Sequence, residues 1–165
     1  KFNLGVIVTN KSGHNLPTGT TFSRQIWLEI NILSDSDTIY KSGHLDPNGD
    51  LYDFYIDPEG KEDPDLTIFR TVLYDVIGDS GLRHVSVERM VKKTDTTIPV
   101  QSSITADFEF DVPENIENIF IKVRLRFRPL PPFFIREFGL NSEEKNLKIF
   151  NGDSLSVEIP VRSLN

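Results

Sequence analysis

Apolar and polar residues alternate with period two along most of this chain. Phe2, Leu4, Val6 and Val8 fall on one side of an extended segment, with Asn3, Ile7 and Thr9 on the other. The rhythm returns at Ile26, Leu28, Ile30 and Ile32 against Trp27, Glu29 and Asn31, and at Ile104, Ala106, Phe108 and Phe110 against Thr105, Asp107, Glu109 and Asp111. It is cleanest in Ile119, Ile121, Val123, Leu125 and Phe127, with Lys122, Arg124, Arg126 and Arg128 between them, and it closes the chain at Leu155, Val157, Ile159 and Val161. Successive side chains of a strand point to opposite faces, so this period predicts strands with one apolar face. Less regular segments at 37–42, 68–76 and 83–92 predict three more. Two antiparallel sheets laid face to face bury such faces together. The expected fold is all-β: an antiparallel two-sheet β-sandwich, immunoglobulin-like, of about eight strands, forming a single domain over 1–165.

One stretch departs from the alternation. "RPLPPFFIREFGLN" opens on prolines, places Phe134 and Phe138 four apart and stops at Gly139. Pro at the first turn and Gly just past the last punctuate helices, which predicts a short helix over 132–138 covering one open end of the sandwich. The competing reading is an irregular Pro-rich loop with buried phenylalanines. The longest connection, 45–66, is acidic and rich in turn residues.

Composition narrows the function. The 165 residues carry a net charge of −7, against the positive field that nucleic-acid binding needs. No apolar run is long enough for a transmembrane helix. There is no cysteine, hence no disulfide, thiolate nucleophile or thiolate metal site. Ser12, Ser23 and Ser42 lack a nucleophile-elbow context, and no phosphate-binding glycine loop or zinc-protease helix motif occurs. The chain reads as a non-enzyme.

Three candidates for chemistry remain. "DPNGD" sets Asp46, Asn48 and Asp50 at alternate positions with Gly49 in the turn. That is either a calcium loop, though without the EF-hand spacing, or a solvated Asx turn. His14, in "GHNLPTG", is either a hydrogen-bonding turn residue or an axial ligand to a haem iron carried elsewhere; His84 competes for that role, and His44 looks like part of a turn. Lys122, Arg124, Arg126 and Arg128 form a cationic stripe. It is either an outer face balanced by cross-strand carboxylates or a docking surface for an acidic partner or haem propionates.

Three stretches, in order, carry a resemblance: "GHNLPTG…SRQIWLEI" with "YKSGHLDPNGD", then "RTVLYDVIGDSGLRHVSVERMVKKTDTTIPV", then "VRLRFRPLPPFFIREFGL". Over about residues 3–140 the chain resembles the β-sandwich accessory domain of exported multihaem c-type cytochromes, of the hydroxylamine-oxidoreductase and tetrahaem cytochrome-like lineage. "TTIPVQSS" departs from that pattern, where an Ile-Pro-Pro-Gly is usual. The resemblance implies an extracellular or periplasmic location and a non-catalytic docking role in an electron-transfer system. Haem c is attached through Cys-X-X-Cys-His, which is absent, so the haems belong to another region or chain. His14 and His84 become candidate haem ligands, and Arg24 and Arg126 candidate propionate contacts. The competing reading is a calcium-stabilised cell-surface binding module or a filament-forming subunit, motivated by the Asp/Asn turn and by exposed strand edges.

Overall fold

The computed structural model describes residues 1–34, 37–53, 62–74 and 92–161. Among these it places strands β1 (Phe2–Thr9), β2 (Gln25–Ser34), β3 (Asp37–Ser42), β4 (Ile68–Phe69), β5 (Thr71–Tyr74), β6 (Lys92–Asp95), β7 (Ser103–Phe110), β8 (Asn118–Arg128) and β9 (Phe150–Pro160). A short helix, α1 (Pro132–Glu137), and a 3-10 segment, Asn141–Asn146, join β8 to β9. The expected strand at 83–92 lies outside the described residues apart from Lys92, which begins β6.

The period-two pattern works as expected in the two central pairings. β1 and β7 pair antiparallel from Phe2 opposite Phe110 to Thr9 opposite Ser103. β2 sits between β3 and β8 in the larger sheet, ordered β3-β2-β8-β9, with β4 joined to β2 as well. The apolar sides face each other: Val8, Ala106 and Phe108 from one sheet meet Leu28, Ile30 and Val123 from the other in one cluster. Tyr40 of β3 packs edge-on to Phe108 and tilted against Phe110. This is the β-sandwich, all-β and antiparallel, with a further two-stranded piece formed by β5 and β6.

The larger sheet departs from the simple pattern at both ends of its strands' surroundings. At the start of β2 both faces are buried, because Gln25 and Trp27 on the outer side are covered as fully as Ile26 and Leu28 on the inner. The cover is the 43–53 segment. It begins at Gly43, where φ is +70° and a Cβ would stand 1.9 Å from the Leu28 carbonyl oxygen, so only glycine permits the approach. The Gly43 carbonyl accepts from Trp27 Nε1 at 3.0 Å. Asp63 fastens the same corner, accepting from Ser42 Oγ and the Gly43 amide, and Asp53 forms a buried pair with Arg70 at 2.6 Å. β9 shows the opposite departure: it alternates like the others, yet Leu155 and Val157 stay exposed. The β1–β7 sheet covers the apolar faces of β2 and β8; of β9, Ile159 packs against that core while Leu155 and Val157 do not.

Helix α1 forms where the prolines and glycine predict. Pro132 opens its first turn, Phe138 is the C-cap and Gly139 follows at φ +70°. Its N-cap, Pro131, offers no side-chain acceptor to the first turn.

Candidate functional site

The turn containing His14 is built around a buried asparagine. Asn10, at the end of β1, donates from Nδ2 to the carbonyls of His14 (2.8 Å), Ile98 (3.0 Å) and Pro99 (3.0 Å). Its Oδ1 accepts from the Ser12 amide and hydroxyl. Beyond the histidine, Leu16 and Ile98 exchange amide–carbonyl bonds at 3.0 and 2.8 Å, and the buried Pro17 follows a cis peptide bond. Asn15 Oδ1 accepts from the Val100 amide at 3.0 Å. The backbone on both sides of His14 is therefore fixed, while its ring is exposed. Nδ1 lies 3.2 Å from Ser12 Oγ, and no described residue hydrogen-bonds Nε2. An imidazole with one nitrogen oriented by a hydroxyl and the other open has the form of a metal ligand.

Arg24 closes the same loop from its far end. Its Nη1 donates to the Thr18 carbonyl at 2.6 Å and lies over Gly19, where a Cβ would come within 3.2 Å of the guanidinium. Gly19 has φ +70°, so the position suits glycine on both counts. The half-buried Arg24 thus shapes the turn that carries His14.

A second polar centre lies on the outer face, where the 43–53 segment and α1 cover β2 and β8. Arg128 is 1% exposed, with its guanidinium carbon 5.3 Å from the centre of the Trp27 ring. It donates to Gln25 Oε1 and to the Gly49 carbonyl. Burial pushes this guanidinium down to about 10, a fall opposed by the Asp50 and Asp46 carboxylates. Asp50, equally buried, pairs with Arg136 and accepts from the Phe133 amide at 3.0 Å. It supplies the first turn of α1 with the acceptor that Pro131 cannot.

The rest of the cationic stripe is answered within the sheet. Glu29, directly opposite Arg124, accepts from Arg124 Nη1 at 2.9 Å and stands 3.4 Å from Arg126 Nε. Arg126 Nη1 also donates to Asn151 at 2.8 Å. Lys122 is exposed.

With this geometry in place, the chain can be set beside known proteins. It matches no protein-family description and no curated protein. It shares its fold with part of a penta-heme cytochrome c552 from Thermochromatium tepidum. The TM-score is 0.63 at 17% identity, and the likeness covers 96% of this chain and 35% of that one. The chain thus spans about a third of that cytochrome's length, and the likeness establishes a multihaem cytochrome-related fold.

The residues fit a non-covalent contact with haem and exclude a covalent one. The absence of cysteine removes thioether attachment, whereas His14 presents an open imidazole on a fixed turn. His14 and Arg24 share one loop; Arg126 sits on the outer face of the sheet with its charge met by Glu29; His84 lies outside the described residues. His44 is directed at the Ile30 carbonyl, 3.3 Å away. In the "DPNGD" turn, Asp46 Oδ1 accepts from the amides of Asn48 and Asp50, while both Asp50 oxygens serve α1 and Arg136. No cluster of three or more His, Cys, Asp or Glu able to hold a metal occurs among the described residues.

Sequence reasoning counted Arg128 with the solvated stripe and missed its burial beside Trp27. The available signal was Pro129 and Pro131 directly after it, which end the strand and turn the chain back over that face.

Proposed function

We propose that this chain is a non-catalytic structural module of an exported multihaem c-type cytochrome electron-transfer system. It packs beside haems carried by another region or chain. The supporting observation is the likeness, over nearly the whole chain, to about a third of a penta-heme cytochrome. Lacking cysteine, the chain contributes only second-level influences on a neighbouring haem: a stiff wall that limits water, and the His14 imidazole as an axial ligand or hydrogen-bonding contact. The Asn10 network holds His14 at one position, which suits a ligand better than a mobile loop does.

The test is to isolate the protein under native conditions from the envelope and extracellular fractions of its source cells and record absorbance. A c-type haem spectrum travelling with the chain is expected. A preparation with no haem absorbance and no haem-bearing partner overturns the reading. His14→Ala then examines the residue alone: loss of a low-spin signature supports ligation, and an unchanged spectrum removes His14 from the iron while leaving the module reading standing.

A further inference from the structure

Strand β9 is an edge with an uncovered apolar side. Among the described residues it pairs with β8 alone, so alternate backbone amides and carbonyls along it point away from the sheet. Leu155 and Val157 stand opposite Val123 and Ile121 on the core side of the sheet, yet they are 61% and 39% exposed. Phe150, opposite Phe127, is 50% exposed. The strand contains no Lys or Arg, and no Pro before Pro160; the bulge at Gly152 and the core-side Asp153 guard only its first half, so the edge from Ser154 to Ile159 stays free to pair.

The pattern is complementary to itself. When an antiparallel strand pairs with its own two-fold copy, side chains of one face stay together only if the axis passes through a residue. With the axis at Ser156, Leu155 of one copy opposes Val157 of the other, Asp153 opposes Ile159, and Ser154 opposes Glu158. The apolar positions then form one continuous strip, and no carboxylate faces another.

We propose that β9 is a homodimer interface, in which two copies join edge to edge about an axis at Ser156 and their larger sheets become one. With that axis residues 152–160 of the two copies pair, and these strands bury on the order of 1,000 Å² in total, the low end for specific interfaces, so association is modest and concentration-dependent. Each copy carries a net charge of −7, and screening that repulsion with salt strengthens the pair.

Sedimentation equilibrium of the chain over about 1 µM to about 1 mM tests this. The expected mass rises from 18.8 kDa toward twice that value, and rises further at higher salt. L155K/V157K and L155E/V157E, both confirmed folded by circular dichroism, are each expected to weaken self-association at least about tenfold. An equimolar mixture of the two restores it, because lysines then meet glutamates. A wild-type chain that stays monomeric throughout overturns the proposal and leaves β9 to a different partner. So does unchanged self-association in the variants, or a mixture no tighter than its components.

Discussion

Removing the Asp50 carboxylate separates its two jobs. In Asp50→Ala the Phe133 amide loses its acceptor, and α1 has no capping side chain in reserve, a loss of about 1 kcal/mol. Arg136, with its side chain 34% exposed, loses a charge-assisted bond of about 1.5 kcal/mol. Arg128 loses one of the carboxylates offsetting its burial, about 0.5 kcal/mol more. The expected destabilisation is about 3 kcal/mol. Asp50→Asn keeps an oxygen for Phe133 and gives up only the charge, so about 2 kcal/mol is expected. Trp27 is the only tryptophan, is fully buried and lies against Arg128, which makes its fluorescence a local reporter in urea unfolding. With a slope of about 2 kcal/mol per M, the alanine variant shifts the midpoint down by about 1.5 M and the asparagine variant by about 1 M. A shift below about 0.3 M for alanine refutes the reasoning. An asparagine variant as damaging as alanine refutes the capping role. Because both Asp50 oxygens are engaged by the protein, calcium is expected to leave the wild-type midpoint where a chelator does; a calcium-dependent rise abolished by Asp50→Ala contradicts that assignment.

Asn10→Ala removes one of two donors at each of the His14, Ile98 and Pro99 carbonyls and leaves the Ser12 amide without its acceptor; a loss of about 2 kcal/mol is expected in thermal or urea unfolding, and Asn10→Asp, which sets a carboxylate against those carbonyls, does no better. His14→Ala, by contrast, removes an exposed ring and is expected to move stability by less than about 0.5 kcal/mol. Burial and the hydrogen bond to Asp65 raise the Tyr40 phenol above its ordinary value, so the folded chain keeps a proton that the unfolded chain releases near pH 10. Its contribution is intact below roughly pH 10 and declines as pH rises beyond it; Tyr40→Phe is expected to flatten that alkaline decline, measured as unfolding free energy near pH 8 and near pH 11. An equally steep decline in the variant removes Tyr40 as the cause.

Which strands form, and which of their sides carry apolar residues, was legible in the alternation, because strand geometry fixes it locally. Leu28, Ile30, Phe108 and Val123 are buried as that pattern requires. What covers a face is not local. Arg128 follows Arg124 and Arg126 in identical rhythm, yet it is buried because Gly43 lets a distant segment cross the sheet and Asp50 anchors α1 there. Leu155 and Val157 repeat the rhythm of Ile121 and Val123, yet they are exposed because the opposing sheet ends short of them. The site divides similarly. "GHNLPTG" marked an unusual turn, whereas Asn10, which holds it, carries no signal beyond being polar at the end of a strand.

The His14 turn and β9 belong to different connections of the fold, which matters for how the chain serves an assembly. The turn links β1 to β2 and is bonded to the 98–100 segment; β9 is bonded through β8. Pairing at β9 therefore leaves the turn's own contacts intact, and a two-fold dimer carries two such turns related by its axis. If both inferences hold, charge at Leu155 and Val157 changes the mass of the complex without altering a His14-dependent haem spectrum. His14→Ala does the reverse. A single substitution that disturbs both readouts shows instead that one surface serves both contacts, and the two-surface account fails.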